Sequence, residues 1–343
     1  MLKKVLITGV NGYIGTVLAE KVKKKGYKVV GWDNDYFKKI TLGPYKNKYS
    51  SKKIDIRQKQ IDLSKIDCII HLAALSNDPM GALNEKLTYD INFKASLQLA
   101  KEAKRVGVKR FIFSSSCAVY GIAKSDIVNE KSKINPLTAY AKSKALAEEK
   151  LKKLADKDFC VCILRNATVY GYSPRFRNDL VVNNLVTSGL VLGEIRVLSD
   201  GTPWRPLIDV RDLSDIFCRF IEIEIKKVNG EIFNIGFSNS NYQVKDIIEV
   251  IKKYLPECKI KYTGEHGKDT RSYRVDFNKL SKLFPDVKQK WVLDRSVRDL
   301  IKKLKISKFG RVDFEKERYA RLAILNSLIN KGRVRKDLFW RNS

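Results

Sequence analysis

Short apolar runs recur along this chain, and each one stops in small or polar residues. Val5-Leu6-Ile7 leads into Thr8-Gly9, Val29-Val30-Gly31-Trp32 into Asp33, and Cys68-Ile69-Ile70-His71-Leu72 into Ala73-Ala74. Phe111-Ile112-Phe113 ends in Ser114-Ser115-Ser116, and residues 159–164 form a further run. Unalternating runs of this length are the pattern of strands buried on both faces of a parallel sheet. Segments of helical periodicity separate them. Val17, Leu18 and Val22 follow the first run; Ile91, Ala95, Leu97, Leu99 and Ala103 mark a helix over residues 88–106, which Gly107 stops. Strands separated by helix-length connections need right-handed crossovers, which predicts an α/β, doubly wound parallel sheet.

The alternation weakens beyond Arg165, with polar loops at residues 173–179 and 199–205 and core-like pieces at 207–225 and 231–236. The expected division is a first domain over residues 1–171, to which 205–236 return. A smaller interleaved α/β lobe comes from 172–204 and 237–308, and 309–343 form a helical appendage. In that tail Phe314, Tyr319, Leu322, Ile324, Leu325, Leu328 and Ile329 have mixed helical spacing, which predicts a helix packed on the second lobe.

The first strand feeds Thr8-Gly9-Val10-Asn11-Gly12-Tyr13-Ile14-Gly15, a glycine-rich turn opening a helix. Unpaired N–H groups at such a helix start hold a pyrophosphate, so the turn reads as the dinucleotide site of a Rossmann-type fold. Gly9 permits the tight turn, Gly12 leaves room for phosphates, and Gly15 lets the helix lie close. Asp33, 18 positions beyond Gly15 at the tip of the second strand, can accept bonds from ribose hydroxyls and repels a 2′-phosphate, which favours NAD over NADP.

A net charge of +30 over 343 residues is large, but the lysines are interleaved with carboxylates along the whole chain. That distribution fits a solvated surface and an anionic substrate better than nucleic acid. The cysteines at 68, 117, 160, 162, 218 and 258 have no metal-ligand spacing, and two histidines are too few for a zinc site; no metal is expected. Cys160 and Cys162 should share one face of a strand as buried thiols. A reducing, cytoplasmic compartment fits. No apolar run approaches the roughly 18 residues that span a bilayer, and Met1-Leu2-Lys3-Lys4 leads straight into the first strand rather than a signal peptide.

Tyr140-Ala141-Lys142-Ser143-Lys144 opens a helix expected to run to about Leu154. Tyr140 and Lys144, four apart, project from one face. A phenol normally holds its proton to a pKa of about 10, but a neighbouring ammonium and a positive nicotinamide would favour the phenolate, a base able to take a hydroxyl proton. Ser116, at a strand end, can bond the same oxygen.

With these residues in place the chain resembles the extended short-chain dehydrogenase/reductase family, and within it the nucleotide-sugar epimerases and dehydratases, UDP-glucose/galactose 4-epimerase-like members included. The resemblance covers the turn at 8–15, Asp33-Asn34, Asp55-Ile56, His71-Leu72-Ala73-Ala74, the stretch from Ser114 to Gly121, Tyr140 and Lys144, and Arg165 with Tyr170-Gly171. It continues into Arg205-Pro206-Leu207-Ile208-Asp209 and Asn234-Ile235-Gly236. It implies a tightly held NAD against Gly9, Gly12, Tyr13, Ile14 and Gly15, with Asp33, Asn34, Asp55 and Ile56 at its adenosine end. Leu72, Ala73, Ala74, Asn92 and Ser114 would lie beside it, and Lys144 on the nicotinamide ribose. Ser116 and Tyr140 would meet the sugar C4 hydroxyl. A nucleotide-diphosphate sugar would be bound by Ser76, Ser116, Thr168, Asn178, Leu180, Arg205, Arg271 and Tyr273, with Arg205 on the diphosphate.

The resemblance also implies a homodimer built on the helices around residues 88–106 and 140–154. Relatives that eliminate water carry Asp-Glu directly after the catalytic Ser or Thr, and decarboxylases a Glu at the second position; Cys117-Ala118 supplies neither. The 3,5-epimerising relatives place a cysteine base where Ala118 stands, so Cys117 reads as a packed thiol. Ser76 replaces a lysine of the UDP-galactose 4-epimerase pattern, Thr168 an asparagine, and His266 stands near a second phosphate-binding arginine, which leaves the sugar open. The expectation is an NAD-dependent C4 epimerase. A keto-sugar reductase or C4 dehydrogenase is the alternative, and a non-catalytic NAD-binding sensor a third reading.

Overall fold

The computed structural model describes residues 3–59, 61–122, 126–263 and 272–341. Seven strands, β1 (Lys4–Thr8), β2 (Lys28–Asp33), β3 (Ser50–Lys53), β4 (Cys68–His71), β5 (Arg110–Ser116), β6 (Cys160–Asn166) and β7 (Glu231–Ile235), form one parallel sheet in the order β7-β6-β5-β4-β1-β2-β3. After β3 the chain crosses back to the far side of β1, so neighbouring connections leave opposite faces and a crevice opens between the carboxyl ends of β1 and β4. Thr8 pairs with His71 there, which keeps the two ends level.

The period-2 alternation of strand side chains divides the apolar runs between two faces. Val5, Ile7, Cys68, Ile70, Ile112, Cys160 and Cys162 face α1 (Tyr13–Lys24) and the helix Val210–Glu222, while Leu6, Ile69, Phe111, Phe113, Val161 and Ile163 face the other helical layer. Cys160 and Cys162 therefore share a face as expected, and all six cysteines are free and buried. None of the helices among the described residues is long and apolar enough to cross a membrane.

A separate core gathers Phe176, Val182, Val186, Ile195, Leu207, Ile247, Ile251, Val297, Leu300 and Leu304. Two small sheets flank it. Trp204–Asp209 lies parallel to Thr168–Tyr170 and antiparallel to Asn241–Gln243, and Lys259–Tyr262 lies parallel to Glu194–Val197.

Two features depart from the sequence reading. The helix expected over 88–106 is broken by one π turn, Asp90–Ala95, between Glu85–Tyr89 and Ser96–Arg105. Such turns re-aim side chains at functional sites, and this one carries Asn92. The tail also does not stay on the second lobe. Phe309 belongs to the second core, with Phe314 and Tyr319 packed on it, but Leu325, Val334 and Leu338 are buried with Tyr36, Ile56, Leu75, Met80 and Ile91, beside the ends of the main sheet.

The glycine turn is held by close backbone approach. A Cβ on Gly15 would lie 2.2 Å from the Gly9 carbonyl and 2.7 Å from Val10 Cα, so Gly15 seats α1 on the turn itself rather than on β1. Gly9 has φ +71° and touches the Ala73 backbone. Gly15→Ala is expected to cost about 1–3 kcal/mol in urea-monitored unfolding, since backbone rather than a flexible side chain must yield; an unchanged midpoint would mean that the turn tolerates a wider seat.

Candidate active site

A cleft of about 320 Å³ opens at the β1–β4 crevice. Of the residues expected at a cofactor, Gly9, Gly12, Tyr13, Ile14, Gly15, Asp33, Asn34, Asp55, Ile56, Leu72, Ala73, Ala74, Ser114, Tyr140 and Lys144 line it, as do Ser76, Ser116, Thr168 and Leu180 of the expected substrate set. Asn92 does not. It is fully buried behind the wall, accepting from Leu75 N at 2.8 Å and donating to Leu75 O at 3.0 Å and Ser143 Oγ at 3.1 Å, so it ties the loop after β4 to the helix carrying Tyr140.

Asn178 and Tyr273 are also turned inward. Asn178 accepts from the Thr187 hydroxyl, and its backbone N–H donates to Tyr319 O at 3.1 Å. Tyr273 packs edge-on against Tyr120 in the first core. Arg205 is outside the cleft wall and donates to Trp204 O at 2.8 Å. Arg271 and His266 lie outside the described residues.

The chemical end is built where β5 meets α2 (Ala139–Lys152), capped by Thr138, whose hydroxyl accepts from Ala141 N at 3.1 Å. Gly81 lets the segment Asp78–Ala82 lie against Tyr140, since a Cβ there would come within 2.9 Å of the tyrosine Cβ. Burial pushes the Tyr140 phenol up to about 12, opposed by its hydrogen bond with Ser116 and by the charge of Arg177. The Lys144 ammonium donates to Ser114 O at 2.7 Å and lies over the Phe113 ring at 4.7 Å, and burial draws its pKa down to about 7. Cys117, with its Sγ donating to Arg165 O at 3.3 Å and its thiol pushed up by burial, is a packed thiol; Ala118 is the residue on the wall.

Beneath α2, Glu148 and Arg165 form a buried ion pair with contacts of 3.1, 3.1 and 2.7 Å, and the Ser115 hydroxyl donates to Glu148. Arg165 also donates to Tyr120 Oη at 3.1 Å, which in turn bonds Asn234 at 2.7 Å. This network fixes α2 against β5 and β6, and hence Tyr140 against Ser116.

The opposite end fits a dinucleotide. A Cβ on Gly12 would meet only the Gly9 carbonyl, at 3.1 Å, so the turn is open toward the cleft. Asn166 Oδ1, on a cleft residue, is buried with no hydrogen-bond partner among the described residues. Asp33 accepts from Asn11 N at 2.9 Å and Asp35 N at 2.8 Å, and burial raises its carboxyl to about 6. Asn34 and Asp55 are steadied from the tail. Trp340 Nε1 donates to Asn34 O at 2.6 Å, and Arg57, paired with Asp55 at 2.6 Å, donates to Asp337 O at 2.6 Å.

Sequence reasoning missed Asn77, Asp78, Arg177 and Arg321 as wall residues. Arg177 is paired with Asp179 at 2.7 Å and donates to Ser76 Oγ at 2.9 Å. The absence of a lysine at Ser76 was the only sequence signal that a cation must arrive from elsewhere.

Glu148→Gln should lower unfolding free energy by about 3–5 kcal/mol, because it leaves the Arg165 charge buried without its counterion; denaturant melts compared with a surface Glu149→Gln control check this. Asp33 gives a pH signature. Its folded pKa lies above the unfolded value, so its contribution is fully present below about 4 and is lost as pH rises through about 6. The cofactor-free wild type should lose about 3 kcal/mol between pH 4 and pH 8 relative to Asp33→Asn; parallel pH profiles would refute the burial argument.

The sequence profile of the NAD dependent epimerase/dehydratase family matches residues 5–236. Among curated proteins, the UDP-glucuronate 4-epimerase of Thermodesulfobacterium geofontis is 27% identical over 329 residues, covering 88% of this chain and 99% of that protein. Among solved structures, the Bacillus cereus UDP-glucuronic acid 4-epimerase in complex with UDP-glucuronic acid and NAD has a TM-score of 0.74 at 25% identity, covering 88% of this chain and 99% of its own. The NAD-dependent NDP-hexosamine 5,6-dehydratase TunA shares the fold, with a TM-score of 0.79 at 22% identity over 89% of this chain and 98% of its own. The chain belongs to the NAD-dependent epimerase/dehydratase family, within the extended short-chain dehydrogenase/reductases.

Proposed function

We propose that the protein interconverts the C4 epimers of a nucleotide-diphosphate hexose through a transient 4-keto sugar. The observation that carries this reading is Tyr140, half-buried on the cleft wall, with Ser116 on the same wall and Lys144 one helical turn away. Bound NAD supplies the hydride acceptor and donor. Tyr140 Oη takes the C4 hydroxyl proton and later returns it, and Ser116 holds the same oxygen in line. Burial opposes ionisation of this phenol, and the positive charge of Lys144 and of the nicotinamide ring would favour the phenolate that takes the hydroxyl proton. Lys144 is assigned to the nicotinamide ribose, and Asp33, Asn34, Asp55 and Ile56 to the adenosine.

Ser76, Thr168 and Leu180 would face the nucleotide sugar, with Arg205 assigned to its diphosphate and Arg271 to the second substrate segment. Ala118 on the wall offers no acid for C5–C6 elimination, and the relatives named above as UDP-sugar 4-epimerases support C4 as the reacting centre. Six buried free thiols agree with a reducing cytoplasm, and partly exposed Val106 and Leu146, on the helices expected at a dimer seam, agree with a homodimer.

The test is to offer the purified protein UDP-, dTDP-, CDP- and GDP-sugars and follow the 4-epimers and NADH together. Interconversion without net NADH change is expected; stoichiometric NADH change would mean reductase or dehydrogenase chemistry, and no turnover a sensor. Tyr140→Phe should lower kcat by roughly 10²–10⁴-fold while leaving NAD bound, and an unchanged rate would remove Tyr140 from the mechanism.

A further inference from the structure

Arg321 opens the tail helix Arg321–Asn330, and it lies on the wall of the cleft although most of the tail is peripheral. Its side chain is 2% exposed. Nη2 donates to Arg175 O at 2.7 Å and the guanidinium lies 4.5 Å above the Phe37 ring, but Nη1 is buried with no hydrogen-bond partner among the described residues. Its charged neighbours are Arg177, Arg175, Asp179 and Asp33. The two acids are largely committed: Asp179 is forked by Arg177 at 3.0 and 2.7 Å, and Asp33 is bonded to two backbone N–H groups. A guanidinium this deep with a donor unspent is an anion site lacking its anion's oxygen.

We propose that Arg321 binds a phosphate oxygen of the dinucleotide, so that the C-terminal tail completes the cofactor site from the side opposite the glycine turn. The inference rests on the assignment of this cleft to NAD. Three observations converge on the cofactor phosphates rather than on those of the nucleotide sugar. Arg321 is electrostatically close to Asp33, at the ribose end of the turn. The residues that follow it in the tail pack on Tyr36 and Ile56 and bond Asn34 and Arg57, all on the adenosine side. The N-terminal end of the tail helix adds its partial positive charge at the same wall. Arg177, bonded to Ser76, is a second arginine on the wall, far from Arg321 in sequence.

The experiment uses the full chain. Dissociation constants for NAD, ADP-ribose, adenosine and UDP are measured by calorimetry on wild type, Arg321→Gln, Arg321→Lys and Asp33→Asn, with thermal melts with and without NAD. Arg321→Gln should weaken NAD and ADP-ribose roughly 10–100-fold, leave adenosine and UDP within about twofold, and shrink the NAD-induced rise in Tm. The cofactor-free Tm of Arg321→Gln should be equal to wild type or higher, because an uncompensated buried charge is removed; Arg321→Lys should recover part of the affinity. Unchanged NAD affinity, an equal loss for adenosine, or a lower cofactor-free Tm with an unaltered NAD shift would overturn the proposal, as would a selective loss of UDP, which would give the phosphate to the substrate. If NAD binding responds to neither Asp33→Asn nor Arg321→Gln, the assignment of the cleft falls as well; if it responds to Asp33→Asn alone, only the role of Arg321 falls.

Discussion

The structure depends on a contact with no side chain in it: the turn after β1 lying directly against the backbone at the end of β4. Gly9 touches Ala73, Gly15 sits over the Gly9 carbonyl, and no Cβ could be accommodated at either place without moving backbone. That contact sets the height of the crevice floor and the start of α1. It also leaves Gly12 at the cleft, where a Cβ would meet the Gly9 carbonyl alone, at the point where strand connections diverge to opposite faces.

Burial then decides the chemistry of the groups around that floor. The same removal of water drives Tyr140 and Asp33 up and Lys144 down, each toward its neutral form. Polar partners stand at each of these groups: Ser116 beside Tyr140, Ser114 O on Lys144, and two backbone amides on Asp33. The Glu148–Arg165 pair is the buried underside of this arrangement, tying α2 to the sheet beneath it.

The tail changes the boundary of the site. Aromatic residues at 309, 314 and 319 hold it to the second core, and beyond Ala320 it turns onto a separate apolar cluster, where Leu325, Val334 and Leu338 are buried with Tyr36, Ile56, Leu75, Met80 and Ile91. A segment that bridges two cores couples them mechanically, and it delivers Arg321, Trp340 and the Asp337 carbonyl to residues near the start of the chain.

The sequence alone determined the parallel sheet, the glycine turn, Asp33 at the second strand tip and the Tyr140–Lys144 face, because each is encoded within one element by period, spacing or a glycine with a single use. It could not determine which groups close around them. Asn92, in the π turn, is held behind the wall by Leu75 and Ser143, Asn178 is captured by Thr187, and Arg177 and Arg321 arrive from far along the chain. The pKa of Tyr140 likewise reflects its whole surroundings, burial first among them, and these the sequence does not show. Local pattern fixes elements because their hydrogen bonds are local. The walls of a cleft, the dielectric inside it and the docking of a tail are long-range packing, and only the folded chain decides them.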